Sequence, residues 1–323
     1  MGFEPDLIAQ LGSLEGGAGY LPLADVGLVR VAGPGHREAL QRVLSQDVLG
    51  LKPGQGRLAL LLASKGQFRA LMAVFAGGES TLLLAPSGRG GELARSLSPY
   101  LLLSRCTAEP VAAGALAVLG LRWREVVQGT GADAAAPADG GWLERAGVLW
   151  FGRTMLGVPG AVAAAGEPDA LAALEQAVRV AGAVPVSAGA VELERIRAGS
   201  PAWGAELTGT VLPPEAGIET ETISTSKGCY IGQETIARMQ TYGHPNRCLV
   251  GLCQSAGDAD APALPVPLTA AGEDKVRGTL TSWGWHPRHG GVALALVKRE
   301  PAEPGTRLTD DGREFVVTPL PLW

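Results

Sequence analysis

The densest chemistry in the sequence lies at Lys227-Gly228-Cys229-Tyr230-Ile231-Gly232-Gln233-Glu234, with Arg238 four residues further on. Gly228 and Gly232 bracket a cysteine and an aromatic ring, so the backbone there can turn tightly or approach a ligand closely. Gln233 can open a helix, with Glu234 in the first turn, where a carboxylate suits the positive end of the helix dipole. Cys229 then stands just ahead of a helix N-terminus with Lys227 and Arg238 nearby, a setting that lowers a thiol pKa and favours a reactive thiolate. The same spacing also suits an inert loop–helix junction whose glycines serve geometry. No Cys/His/Asn constellation accompanies the thiol, so both readings stay open on spacing alone.

Two other groupings hold chemistry-bearing residues. Trp283-Gly284-Trp285-His286-Pro287-Arg288-His289 gathers two tryptophans and two histidines. The histidines are three apart on a Pro-containing loop without acidic partners, so a barrel turn lining a cleft is the better reading than a metal site. Cys248 and Cys253 lie in an apolar strand and read as core residues, and the four cysteines show no CxxC pair or zinc-ligand spacing. Gly33-Pro34-Gly35 is too short a glycine pattern for a nucleotide loop.

The elements that must position these residues follow from periodicity. Residues 20–32 contain an alternating segment that predicts a strand. A turn at Gly33-Pro34-Gly35 leads into a helix from His36 to Leu44, with Leu40, Val43 and Leu44 facing inward. Arg57–Ala63 and Phe68–Ala76 are strand-like runs separated by Ser64-Lys65-Gly66-Gln67, which predicts a hairpin. Ser80–Ala85 reads as strand, Gly90–Ser98 as helix, Gly129–Gly141 as loop and Trp142–Phe151 as strand. Pro168–Val180 carries Leu171, Leu174, Ala177 and Val178 at helical spacing. A short strand at Val184-Pro185-Val186 precedes a helix over Ala190–Ala198, and His244-Pro245-Asn246-Arg247 reads as the exit turn of the Gln233 helix. After Leu249, a loop over Gly257–Pro267 and short strands near Gly278–Ser282, Val292–Lys298 and Phe315–Pro319 predict a small β-barrel. Strands and helices that do not alternate strictly favour an α+β fold.

The 323 residues, 46% hydrophobic and 18% charged, fit a compact chain of two or three domains. A net charge of −5 with no basic stripe argues against direct nucleic-acid binding. The acidic start, Met1-Gly2-Phe3-Glu4-Pro5-Asp6, lacks the features of a signal peptide, and the longest near-apolar stretch, Pro110–Leu121, is too short to span a bilayer. A cytoplasmic, reduced protein without a membrane partner is expected.

The Lys227–Glu234 segment with Arg238 resembles the signature of the YgfZ-type folate-binding family, whose fold is similar to that of aminomethyltransferase, the T protein of glycine cleavage. Glu194-Arg195-Ile196-Arg197-Ala198-Gly199, continuing to Glu206-Leu207, resembles the segment preceding that signature. Leu212-Pro213-Pro214-Glu215-Ala216-Gly217 resembles its short link. Ser45-Gln46-Asp47 and Lys65-Gly66-Gln67 resemble N-terminal landmarks, while Gly278–Ser282 and Ala293–Lys298 resemble the barrel. The resemblance spans most of the chain. It implies an α+β fold: a T-protein-like folate-binding domain of mixed or antiparallel sheets with helices over 1–245, and a C-terminal β-barrel over 246–323. It further implies a central channel for tetrahydrofolate or a one-carbon derivative. Arg197, Glu206, Tyr230 and Asp47 are its candidate contacts, with Tyr242 a further stacking candidate. Cys229 is the expected functional thiol at the channel mouth. The implied role is accessory: support of iron–sulfur proteins or their assembly factors, and tRNA modification through such enzymes.

The close alternative is a folate-dependent aminomethyltransferase of glycine cleavage. That enzyme places a catalytic aspartate in the strand after the Lys65-Gly66 landmark, where this chain has Ala70-Leu71. It also places a pterin-binding glutamate where this chain has Arg197, and an arginine cannot accept the pterin N–H bonds. Both departures count against the transferase. A second alternative is an interaction scaffold that has lost its ligand, which a filled central channel would favour.

Overall fold

The computed structural model describes residues 7–131, 135–254, 259–270, 273–310 and 312–323, with the side chains of Gln240 and Tyr242 outside that description. The chain opens on α1 (Leu7–Gly16), β1 (Gly19–Leu23), β2 (Leu28–Ala32) and α2 (His36–Val43). The hairpin of β3 (Gly56–Leu62) and β4 (Phe68–Ala76) leads to β5 (Ser80–Leu84), α3 (Gly90–Leu101) and β6 (Thr107–Pro110). Next come β7 (Gly114–Leu119), α4 (Trp123–Gly129), β8 (Trp142–Arg145), β9 (Val148–Phe151) and β10 (Gly160–Ala165). The strand β11 (Val184–Pro185) then links α5 (Pro168–Val180) to α6 (Ala188–Ala198), and α7 (Pro213–Ala216), α8 (Glu219–Thr222) and α9 (Gln233–Tyr242) follow. The last strands are β12 (Arg247–Gln254), β13 (Val266–Ala270), β14 (Val276–His286), β15 (Gly290–Lys298), β16 (Arg307–Asp310) and β17 (Arg313–Thr318).

Among the described residues these strands form two open sheets and a closed barrel. One sheet runs β11-β1-β7-β10-β9-β8, parallel only at β11–β1. The other, antiparallel throughout, runs β3-β4-β5-β2-β6. The barrel runs β12-β15-β14-β13-β16-β17, which confirms the mixed α+β architecture with a C-terminal barrel. Residue parity sorts the layers, because successive strand side chains point to opposite faces. Ala73 and Phe75 of β4 enter the core between the sheets, while Met72 and Val74 face the core beneath α2 and α3. Likewise Ala117 and Leu119 of β7 face the inter-sheet core, and Leu116 and Val118 face α4 and α5. Phe75 and Phe151 meet at its centre, their rings 4.8 Å apart. Helix α6 joins that core to the barrel through Leu193 and Ile196, with Leu193 Cδ2 only 2.5 Å from where a Cβ on Gly284 of β14 would lie.

The predicted hairpin, the α2 helix and the α5 helix are present with nearly the expected bounds. Other runs divide further than periodicity shows. Residues 20–32 form two strands in different sheets because Gly27, at φ 66, turns the chain where a Cβ would meet the Ala85 carbonyl at 2.6 Å. Trp142–Phe151 is a hairpin, reversed by Ala146 and Gly147 at φ 51 and 74. Trp283 and Trp285 belong to β14 itself, so the turn is confined to the residues between His286 and Gly290. Cys248 and Cys253 are half-buried and pack against the edges of the barrel core and the inter-sheet core, while Cys106 is buried. Part of the Gly257–Pro267 loop and of the Gly129–Gly141 loop lies outside the described residues.

Candidate functional site

The signature segment is held by its lysine. Lys227 Nζ donates to the carbonyls of Gln41 (2.6 Å), Leu44 and Gln46 (3.1 Å). Gln41 and Leu44 belong to the end of α2, whose outward carbonyls attract a cation. The ammonium also lies 5.5 Å from the centroid of the half-buried Tyr230 ring. Burial pulls the Lys227 pKa down to about 8, against the attraction of Asp47. The lysine charge is therefore engaged by α2 and its exit loop. Asp47 belongs to the same loop: it accepts from Gln41 Nε2 (3.1 Å) and Gly50 N (3.2 Å), and lies 3.5 Å from Arg57 Nη1.

The two signature glycines differ. Gly232 has φ 80, and a Cβ there would lie 2.4 Å from the Ala63 carbonyl. Reciprocally, Gly66 has φ 84 and faces Thr235 and Ile236 of α9, so the Lys65-Gly66 turn and the signature turn are packed directly together. A methyl group on Gly228 would meet nothing within 4 Å, and its φ is not positive. Gln233 Oε1 accepts from Tyr230 N at 3.1 Å and so closes the entry to α9. Cys229, Glu234 and Arg238 are exposed, and none has a side-chain hydrogen bond or ion pair among the described residues.

A separate cleft of about 530 Å³ opens where the two-sheet body meets the exit of α6 and the α7–α8 segment. Leu58 of β3 and Leu71 of β4 form part of its wall, so one residue of the Ala70-Leu71 pair read from sequence in place of the transferase aspartate lines the cleft. Arg153 also lines it, with Nη1 3.7 Å from Glu221 Oε2, while its Nε is buried without a hydrogen-bond partner among the described residues. Thr154 fixes the adjoining turn by donating to the Val158 carbonyl (2.9 Å) and accepting from Leu156 N (3.1 Å). Asp139, Met155 and Glu221 add to the polar and adaptable part of the lining, with Ser200 and Thr222. Such a volume with apolar walls and a few polar groups suits an organic ligand.

None of Asp47, Arg197, Glu206, Cys229 or Tyr230 is among the cleft-lining residues. Arg197 donates through Nε to Glu194 (2.9 Å) and reaches the Trp323 carbonyl at 3.5 Å. Glu194 is buried, and burial pushes its carboxyl upward despite Arg197. Glu206 is wholly buried: Oε2 accepts from Ala202 N (2.8 Å) and Arg195 Nη1 (3.2 Å), and Oε1 from Thr281 (2.7 Å) and Ser282 (2.6 Å). It joins the α6 exit to barrel strand β14, and its acceptor sites are filled by the protein. The Tyr242 side chain lies outside the described residues. Sequence reasoning missed Arg153, Glu221 and Asp139: Asp139 and Arg153 flank the β8–β9 hairpin, and Glu221 lies in α8, far away in sequence.

No protein-family model matches the chain. It is 28% identical over 313 residues to an aminomethyltransferase of Frankia alni, covering 93% of this chain and 83% of that protein. It is 27% identical over 326 residues to an aminomethyltransferase of Geobacillus kaustophilus, covering 95% of this chain and 87% of that one. The fold matches the crystal structure of glycine cleavage system aminomethyltransferase T from Bartonella henselae with a TM-score of 0.85 at 21% identity, over 99% of this chain and 90% of that chain. The fold is therefore that of the aminomethyltransferases.

Proposed function

We propose that this chain is a tetrahydrofolate-binding protein of the YgfZ type, acting as an accessory factor for iron–sulfur enzymes rather than as an aminomethyltransferase. The observation that carries the reading is the wall of the cleft: it includes Leu71, of the Ala70-Leu71 pair that stands where the resemblance places the aspartate of the transferase. A leucine neither orients a ligand nitrogen nor exchanges a proton.

The cleft residues fit a folate chemically. Leu58, Leu71 and Met155 offer apolar surface for a pterin ring, and Glu221 or Asp139 can accept its N–H groups. Arg153, with an unpartnered buried Nε, suits the glutamyl carboxylates. Bound tetrahydrofolate would supply nitrogens that carry a one-carbon unit. The residues around it would bind, orient and exclude water, while Cys229 would act at the exposed signature turn, outside the cleft lining. An open cleft of this size favours a ligand-binding reading over a scaffold without a ligand.

Calorimetric titration with tetrahydrofolate and its methylene and formyl derivatives tests this. Saturable binding of one form is expected, weakened at least about tenfold in Arg153→Met through loss of a charged contact. No heat at about 1 mM ligand would sink the folate reading. Similarity over most of the chain to proteins named aminomethyltransferase favours a second reading, that of a transferase. Tetrahydrofolate-dependent turnover in a reconstituted glycine-cleavage assay would reverse the order of the two.

A further inference from the structure

A second cavity, of about 150 Å³, lies between α1 and the turn joining β14 to β15. Its lining includes Leu11, Glu15, His286, Arg288, His289 and Trp323. His286 is 95% buried, since only 5% of its surface is exposed. Its Nδ1 accepts from the backbone N–H groups of Arg288 (3.1 Å) and His289 (3.2 Å), so that nitrogen carries no proton. The neutral ring must then carry its proton on Nε2, at the opposite edge. Burial, with His289 and Arg288 adding to it, holds this ring's pKa down to about 4, so it stays neutral near pH 7. Nε2–H donates to nothing among the described residues.

The rest of the lining is complementary in charge. Arg288 and Glu15 are both exposed, and neither forms an ion pair among the described residues. The His289 ring stacks on Trp323, with centroids 4.1 Å apart and planes 14° from parallel, and the pair gives the cavity a flat wall. Leu11 adds buried apolar surface. A metal fits poorly, because the free edge of His286 is protonated and no cluster of three ligating side chains exists among the described residues.

We propose that this cavity binds a small zwitterion of the α-amino-acid class. Its carboxylate meets the Nε2–H of His286 and the Arg288 guanidinium, its ammonium meets Glu15, and its side chain lies on Trp323 and Leu11. A water takes about 30 Å³ of liquid volume, so the cavity holds roughly five waters or one small amino acid. Two donors and one acceptor around one small space select a ligand bearing both charges. A carboxylate alone would leave Glu15 unanswered, and an amine alone would leave both donors unanswered.

The test is titration of the full chain with L-alanine, acetate and ethylamine, followed by the indole N–H resonances and by calorimetry. L-alanine should bind saturably, with acetate and ethylamine each at least about tenfold weaker. Glu15→Gln and Arg288→Met, both surface changes, should each weaken L-alanine about tenfold. His286→Phe should do the same, and Arg153→Met in the large cleft should change nothing. Failure of L-alanine to bind overturns the proposal. So does acetate binding as tightly as L-alanine, or unchanged affinity in both Glu15→Gln and Arg288→Met.

Discussion

Glu206 and the Lys227–Arg238 turn both stand out in the sequence for the same reason, ionisable groups among glycines and aromatics, yet the fold uses them in opposite ways. Around Glu206 every acceptor is filled from within, by Arg195, Ala202, Thr281 and Ser282. In the signature turn the anchor is half-buried and the thiol is left outside: Lys227 is tied to three carbonyls while Cys229 is exposed without a side-chain partner among the described residues. A charge enclosed by its own chain fixes architecture, whereas a nucleophile presented by an anchored turn remains available for chemistry. Hydrogen-bond partners, not residue type, set the two apart.

The sharpest test of the first half is Glu206→Ala. It removes the buried counter-charge of the Arg195 guanidinium, 4% exposed, which keeps only its pair with the more exposed Glu192, and it strands Thr281 and Ser282. Removing one partner of a buried pair costs about 3–5 kcal/mol, read as the fall in unfolding free energy from urea titration. A loss below about 1 kcal/mol, the range of an exposed pair, would place Glu206 outside the architecture and return it to the candidate ligand contacts.

The glycines give the next effect. Gly232→Ala forces a side chain into the left-handed region and against the Ala63 carbonyl at 2.4 Å, so a loss of about 2–4 kcal/mol is expected. Gly228→Ala meets open space and should change stability by no more than about 0.5 kcal/mol. Equal losses in urea titrations of the two variants would erase the distinction between a packed and a presented face of the turn.

Part of this arrangement is legible in the sequence. The β3–β4 hairpin, α2 and α5 follow from hydrophobic period and turn residues, because their inward faces are set by local spacing. The signature turn follows from its glycines and Gln233, which act within a few residues of one another. The cleft is not legible, since Leu71, Arg153 and Glu221 are joined only by the packing of a sheet, a loop and α8. The role of Glu206 escapes a sequence reading for a related reason: its partners Thr281 and Ser282 lie 75 and 76 residues away. The assignment of Cys248 and Cys253 to the core holds only in part, because β12 packs both against core clusters while leaving them half-buried.

Lys227→Met probes the anchor. Loss of the ammonium's bonds to three carbonyls should cost about 1–3 kcal/mol. It should also change the pH dependence. The folded-state pKa of about 8 lies below the ordinary lysine value of about 10.4, so between them the unfolded chain holds a proton that the folded chain has released. Stability of the unmodified protein should therefore gain from this residue as pH rises through that window, and lose that gain as pH falls back to about 8. Denaturation midpoints from about pH 7 to about 10.5 should show this rise, and it should be absent from Lys227→Met. An identical slope in both would mean that burial does not govern the lysine.

The smallest effect on stability belongs to the residue expected to matter most for function. Cys229→Ser removes an exposed thiol with no partner, so unfolding should move by no more than about 0.5 kcal/mol. Its chemistry should change far more. Brief alkylation of the native protein, mapped by peptide mass, should label Cys229 first, the half-buried Cys248 and Cys253 later, and Cys106 only on unfolding. Burial also pushes the Cys106 thiol upward, away from the reactive thiolate. If Cys248 or Cys253 is labelled while Cys229 is spared, the turn does not present a usable thiol. If Cys229 is labelled first, Cys229→Ser should keep folate affinity while failing to restore iron–sulfur enzyme activity in a deletion strain. Full restoration by the serine variant would leave the anchored turn as architecture, in the same class as Glu206, and remove the contrast between them.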